Sequence, residues 1–163
     1  MTAKAVLPLA FVLAACAPPD LPAGTAPLDP VAFFTGESRG EGVLDPIVGK
    51  SVPVTVESRG SRTSAGGLSL VQRIAEGSKK PRIRTWVMQP RGPGRFTGTL
   101  TDATGPVEIE SAGPRATVRY HTPSGLRIEQ QLALQPDGRT ILNRLEAFKF
   151  GVRVAVLNET IRK

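Results

Sequence analysis

The chain of 163 residues has one cysteine, one histidine, one tryptophan and one tyrosine, and its eight aromatic residues make up only 5% of the sequence. A single cysteine excludes any intramolecular disulfide and, with a lone histidine, leaves too few soft ligands for a transition-metal site. No apolar run reaches the roughly 20 residues a membrane-spanning helix needs. Two interfacial aromatic girdles, as a membrane-spanning barrel carries, are out of reach for eight aromatics, one of them in the first apolar run. No glycine-rich loop is followed by Lys-Ser/Thr, and no serine lies in a nucleophile-elbow pattern, so neither a phosphate cradle nor a serine hydrolase is indicated. His121 shares a face with Thr117 and Arg119 and lacks an adjacent nucleophile and orienting carboxylate. The expectation is therefore a protein that is not an enzyme and needs no cofactor and no metal.

What is present begins with an address. Lys4 precedes an apolar run of about eleven residues that ends Leu13-Ala14-Ala15-Cys16. This is the length of a secretory signal core, and its ending matches the bacterial lipobox. The pattern assigns residues 1–15 to a lipoprotein signal peptide, with Cys16 taking a diacylglyceryl group and further acyl chains such as palmitate. Two or three chains suffice for stable membrane anchoring. Ala17 stands where an aspartate would retain the protein in the inner membrane, which points to the outer membrane with the domain facing the periplasm. Residues 16–30 form the lipidated cysteine and a Pro-rich tether, extending at about 3.1 Å per residue where proline-rich. The formal charge of +7 would suggest nucleic acid in another compartment. Outside the inner membrane it suits solubility or anionic lipid, and no nucleic-acid partner is expected.

Residues 31–163 carry the fold. Asp29-Pro30 opens one helical turn through Phe34. Beyond Gly36 the apolar residues recur with period two, as in Val52, Val54 and Val56, then Leu68, Leu70 and Ile74, and later Ala116, Val118 and Tyr120. Gly- and Pro-rich turns separate these runs every 8–12 residues or so. The spacing predicts an all-β antiparallel meander closed into a small barrel of 8–10 strands, with no segment long enough for a crossover helix. Residues 139–150 fit either a helix face (Leu142, Leu145, Phe148) or a strand face (Ile141, Asn143, Leu145, Ala147), and the strand is preferred. Val152, Val154 and Val156 are expected to form the face of the last strand.

A barrel of this size either fills with side chains or holds one small ligand oriented by inward polar groups. Gln72 and Gln130 interrupt otherwise apolar faces. Arg84 and Trp86 share a face with Arg82 and Met88, whereas Ile83, Thr85 and Val87 share the other, and either face can point inward. Gln72, Arg84, Trp86, Tyr120, Gln130 and Arg144 are the expected ligand-contacting residues. Lys79, Lys80, Arg82, Arg91 and Arg95 are expected to form a basic rim around two adjacent turns.

The chain also resembles a family of Gram-negative lipoproteins defined by a domain of unknown function, number 3833. The resemblance is carried by Phe33-Phe34-Thr35-Gly36 with Gly40 and Gly42, Gly49-Lys50, Arg84-x-Trp86, Phe96-x-Gly98 with Asp102 and Gly105, Leu142-Asn143-Arg144, and Phe148-Lys149-Phe150-Gly151 with Arg162-Lys163. It departs from the family pattern at residues 72–77 and 130–134, where acidic and aromatic residues are replaced. The resemblance implies a lipoprotein with a lipocalin-like barrel. Two functions follow as expectations. One is a non-catalytic barrel that binds or shuttles a small apolar or amphipathic ligand. The other is an assembly factor that docks on another envelope protein through a strand edge or the basic rim.

Overall fold

The computed structural model describes residues 21–163. The signal peptide, Cys16 and the first residues of the tether lie outside the described residues. Among those described, one short helix, α1 (Pro30–Phe34), precedes ten strands: β1 (Gly36–Pro46), β2 (Val52–Arg62), β3 (Leu68–Glu76), β4 (Arg82–Gly92), β5 (Arg95–Leu100), β6 (Thr104–Ala112), β7 (Arg115–His121), β8 (Arg127–Leu134), β9 (Thr140–Lys149) and β10 (Val152–Arg162). Each strand pairs antiparallel with its neighbours in sequence, and β1 pairs with β10 to close the barrel, with Gly40 opposite Ile161 and Gly42 opposite Glu159. The expected all-β meander is the observed fold, and residues 139–150 supply a strand. Closure leaves no unpaired edge among the described strands, so the expectation of docking through a strand edge is corrected.

The two ends of the barrel differ. At one end Asp29 caps α1 by accepting hydrogen bonds from the Val31 and Ala32 amides at 2.9 and 3.1 Å. Val31, Phe33 and Phe34 from this turn are buried against Leu68, Leu70, Leu132 and Ile141, and close that end. Gly60 on β2 permits the seat, because a Cβ there would lie 1.9 Å from the Phe34 carbonyl oxygen. The chain before α1 is docked as well. Gly24 N–H donates to the Leu134 carbonyl at 2.7 Å, Leu28 N–H to that of Gly113 at 2.8 Å, and Gln135 Nε2 to that of Pro22 at 2.7 Å. The tether read as extending through residue 30 is thus held on the barrel from Pro22 onward, because these orphan backbone groups find partners at the ends of β6 to β9.

Two further corrections follow from strand direction and register. The β3–β4 turn carrying Lys79 and Lys80 and the β4–β5 turn flanked by Arg91 and Arg95 lie at opposite ends of β4, an 11-residue strand. At ~3.3 Å per residue this separates them by about 35 Å, so they form no common basic rim. On β10 the register shifts between Arg153 and Ala155. This irregularity turns Ala155, Leu157, Glu159 and Ile161 toward the interior. Of the expected Val152, Val154 and Val156 face, Val154 still packs against the core beside Ala155, whereas Val152 is exposed.

Candidate functional site

Away from α1 the barrel is hollow. A cavity of about 310 Å³ extends inward from the open end. Leu44, Val54, Val56, Ile74, Leu145 and Leu157 give it apolar walls, while Glu76, Arg82 and Asp102 stand near its mouth. Gln72, Trp86 and Gln130 form its floor. Beneath them only a void of about 50 Å³ remains above Phe34 and the packed closed end. The alternation of each strand places these groups: every second residue points inward, so the polar interruptions on apolar faces converge in the lumen.

Five of the six expected contact residues line this cavity: Gln72, Arg84, Trp86, Tyr120 and Gln130. The inward face of β4 is the one carrying Arg82, Arg84, Trp86 and Met88, which leaves Ile83 and Val87 exposed. Arg144 is the exception and is corrected. Its neighbours Asn143 and Leu145 point inward, so Arg144 points outward, where Nη2 donates to Glu146 Oε1 at 2.9 Å. Arg153 joins the same carboxylate at 2.8 Å. His121 is exposed on the outer surface at the end of β7.

Four site residues were not foreseen: Glu76, Asp102, Asn143 and Glu159. Asp102 Oδ2 accepts from Arg84 Nη2 at 2.7 Å, Arg84 Nε at 3.1 Å and Arg82 Nη1 at 2.8 Å. Arg82 Nη2 also donates to Glu76 Oε1 at 3.2 Å. The Arg84 guanidinium lies 5.9 Å from the Trp86 ring, which meets Tyr120 edge-on at 5.9 Å. Trp86 Nε1 donates to Gln72 Oε1 at 2.7 Å, and Gln72 Nε2 donates to Ser58 Oγ at 3.1 Å. Asn143 Nδ2 donates to Glu159 Oε2 at 2.7 Å, with Glu159 8% exposed and Asn143 2%. Gly40 and Gly42 make room for that carboxyl, since a Cβ on Gly40 would fall 1.8 Å from Glu159 Oε1. These two glycines on β1 are the sequence signal that could have pointed to Glu159.

Burial shapes the titration of this set. It raises the Glu159 carboxyl above its ordinary value of 4.5, outweighing the Asn143 hydrogen bond and the charge of Arg84. Burial likewise raises Tyr120 above 10.0, against the opposing charge of Arg84. Glu76 goes the other way: burial would raise it, but hydrogen bonds and charge from Lys79 and Arg82 together hold it below 4.5. A larger depression of about 760 Å³ lies on the outer face of β1–β3 and is an open surface lined mainly by charged side chains, three of its arginines paired with Glu37 and Glu57. There Arg59 meets Glu37 at 2.6 Å, and Arg39 and Arg73 each meet Glu57 at 3.6 Å. Such exposed pairs contribute little individually.

The family model "Protein of unknown function (DUF3833)" matches residues 10–163, and the chain belongs to that family. Among curated proteins, no sequence matches the chain. Two solved structures share its fold. A protein of unknown function from the DUF3598 family of Nostoc punctiforme superimposes with a TM-score of 0.63 at 14% identity, over 85% of this chain and 50% of its own. The present chain thus spans about half the length of that protein. The S-type phycobiliprotein lyase CPES from Guillardia theta superimposes with a TM-score of 0.62 at 6% identity, over 82% of this chain and 89% of its own. This second likeness corrects the expectation that the chain is not an enzyme. A barrel of the same shape occurs in a protein described as a lyase, so the lack of a nucleophile elbow or metal set does not exclude catalysis in this fold.

Proposed function

We propose that this member of the DUF3833 family is an envelope lipoprotein, anchored through lipid on Cys16 in the outer membrane and facing the periplasm, whose barrel takes a small amphipathic molecule into its open half. The observation that carries this reading is the 310 Å³ lumen, apolar along its walls and polar at its floor and mouth. Its volume is at the low end of the range of small-molecule sites, and its lining has their usual makeup. The fold shared with a protein described as a phycobiliprotein lyase is consistent with a barrel that receives a ligand. The division of the chain follows the same reading, with signal peptide 1–15, a lipidated tether from Cys16, and the barrel domain after it. Because Pro22 is held on the barrel, the six residue steps from Cys16 can reach at most about 20 Å from the closed end.

Native mass spectrometry of the protein isolated from its own envelope, together with titration by a neutral apolar dye, tests the lumen. A co-purifying small molecule and saturable dye binding are expected; absence of both overturns the reading. Labelling with radioactive palmitate that depends on Cys16 tests the anchor separately. A second reading, docking on another envelope protein, is favoured by Ile47, Val48, Phe150 and Val152, all exposed near the mouth, with Phe150 95% exposed. A photocrosslinker at Phe150 that captures only lipid in intact cells would count against it.

A further inference from the structure

We propose that the lumen selects amphipathic ligands whose head groups donate hydrogen bonds, as alcohols, amides and amines do, and disfavours anionic heads such as carboxylates. The proposal deepens, and rests on, the reading of the lumen as a ligand site.

The first observation is a surplus of bare acceptors. Asp102 Oδ1, Gln130 Oε1 and Asn143 Oδ1 are buried side-chain oxygens with no hydrogen-bond partner among the described residues. All three residues line the same cavity. A buried acceptor without a donor costs about 1–3 kcal/mol, and a ligand N–H or O–H placed there removes that cost. A head group that only accepts cannot do so. Asn143 is nearly inaccessible from solvent, so its free oxygen faces the interior of the barrel and not the surrounding water.

The second observation is the charge balance, which is independent of the first. The lumen holds two guanidinium groups, Arg82 and Arg84, and three carboxyls, Glu76, Asp102 and Glu159. Both arginines are already paired, Arg84 with Asp102 at 2.7 Å and Arg82 with Asp102 and Glu76 at 2.8 and 3.2 Å. An incoming carboxylate would lose its water without meeting an uncompensated cation, and would approach Glu159 or Asp102. A neutral hydroxyl avoids that repulsion, and an ammonium turns it into attraction.

Trp86, the only tryptophan in the chain, lies on the cavity floor and reports on its filling directly. The test is a titration of Trp86 fluorescence in the mature acylated chain, held in nanodiscs of neutral phospholipid, with decanol, decylamine and decanoate. Decanol and decylamine are expected to give saturable changes, with decanoate about tenfold weaker or worse, a factor that one buried hydrogen bond to a correct donor supplies. Gln130→Leu and Asn143→Leu, tested separately, each narrow the gap between decanol and decanoate. Decanoate binding as tightly as decanol overturns the selection while leaving the lumen reading intact. No saturable response to any of the three removes the lumen reading itself.

Discussion

Two isoleucines separate the packed half of the barrel from the hollow half. Ile141 points inward on β9 next to the helical plug, is 0% exposed, and belongs to the large core with Leu134 and Leu68. Ile74 points inward on β3 in the other half, grouped with Val54 and Val56 along the wall of the 310 Å³ cavity. Truncation to alanine removes the same three carbons from each. At ~0.8 kcal/mol per buried carbon the transfer loss is about 2.4 kcal/mol. At Ile141 the void has close-packed walls, and a residual cavity adds to the loss, for a total of about 4 kcal/mol. At Ile74 the vacated space merges with an existing lumen, so no new enclosed void forms and part of the surface was never tightly packed. The expected cost there is about 1–2 kcal/mol. Urea unfolding of both variants, with equal m-values as the check for an unchanged transition, measures the difference. Equal costs would refute the division of the barrel into a filled and an open half.

Other substitutions test single contacts. Because burial raises the folded-state pKa of Glu159 above 4.5, the folded chain holds that proton more tightly than the unfolded chain. Its contribution to stability is therefore intact below pH 4.5 and falls as pH rises through the interval above it, levelling off once the buried carboxyl ionises. Glu159→Gln should match the parent near pH 4 and exceed it at neutral pH in thermal melts; a difference that does not change with pH would contradict this. Trp86→Phe leaves Gln72 Oε1 without its donor and should cost about 1 kcal/mol in chemical denaturation, with no loss expected if the 2.7 Å bond contributes nothing. Phe150 holds φ at +50° in the β9–β10 turn, ahead of Gly151 at +81°. A bulky residue is costly there, so Phe150→Asn should stabilise the chain by about 1 kcal/mol. A fall in melting temperature would count against the strain.

The period-two pattern made the strands legible because each buries one side only. Val54 and Val56, or Val118 and Tyr120, mark the inward face without help from the rest of the chain. On β4 this signal fails, since one face carries Ile83 and Val87 and the other Trp86 and Met88. The choice is settled by Asp102, which meets Arg82 and Arg84 from the end of β5. Asn143 and Glu159 were hidden for a similar reason: each reads as a polar strand residue until pairing of β9 with β10 brings them to 2.7 Å. The alternation that places Asn143 and Leu145 inside already sets Arg144 outside, so its expected role conflicted with the pattern of its own strand. The β10 irregularity shifted the inward set to residues whose alternation is weaker than that of the three valines. The docking of Pro22 and Gly24 depends on backbone hydrogen bonds, which proline-rich composition conceals.

The central claim is that a ligand enters the open half of the barrel. Ala147 lines that half and is buried, and a tryptophan in its place would fill the lumen from the wall. The measurement is dye binding by Ala147→Trp beside the parent, with far-ultraviolet circular dichroism and urea unfolding confirming that the barrel is retained. Loss of saturable binding in a folded variant is the expected result. Undiminished binding would place the dye elsewhere and contradict the account.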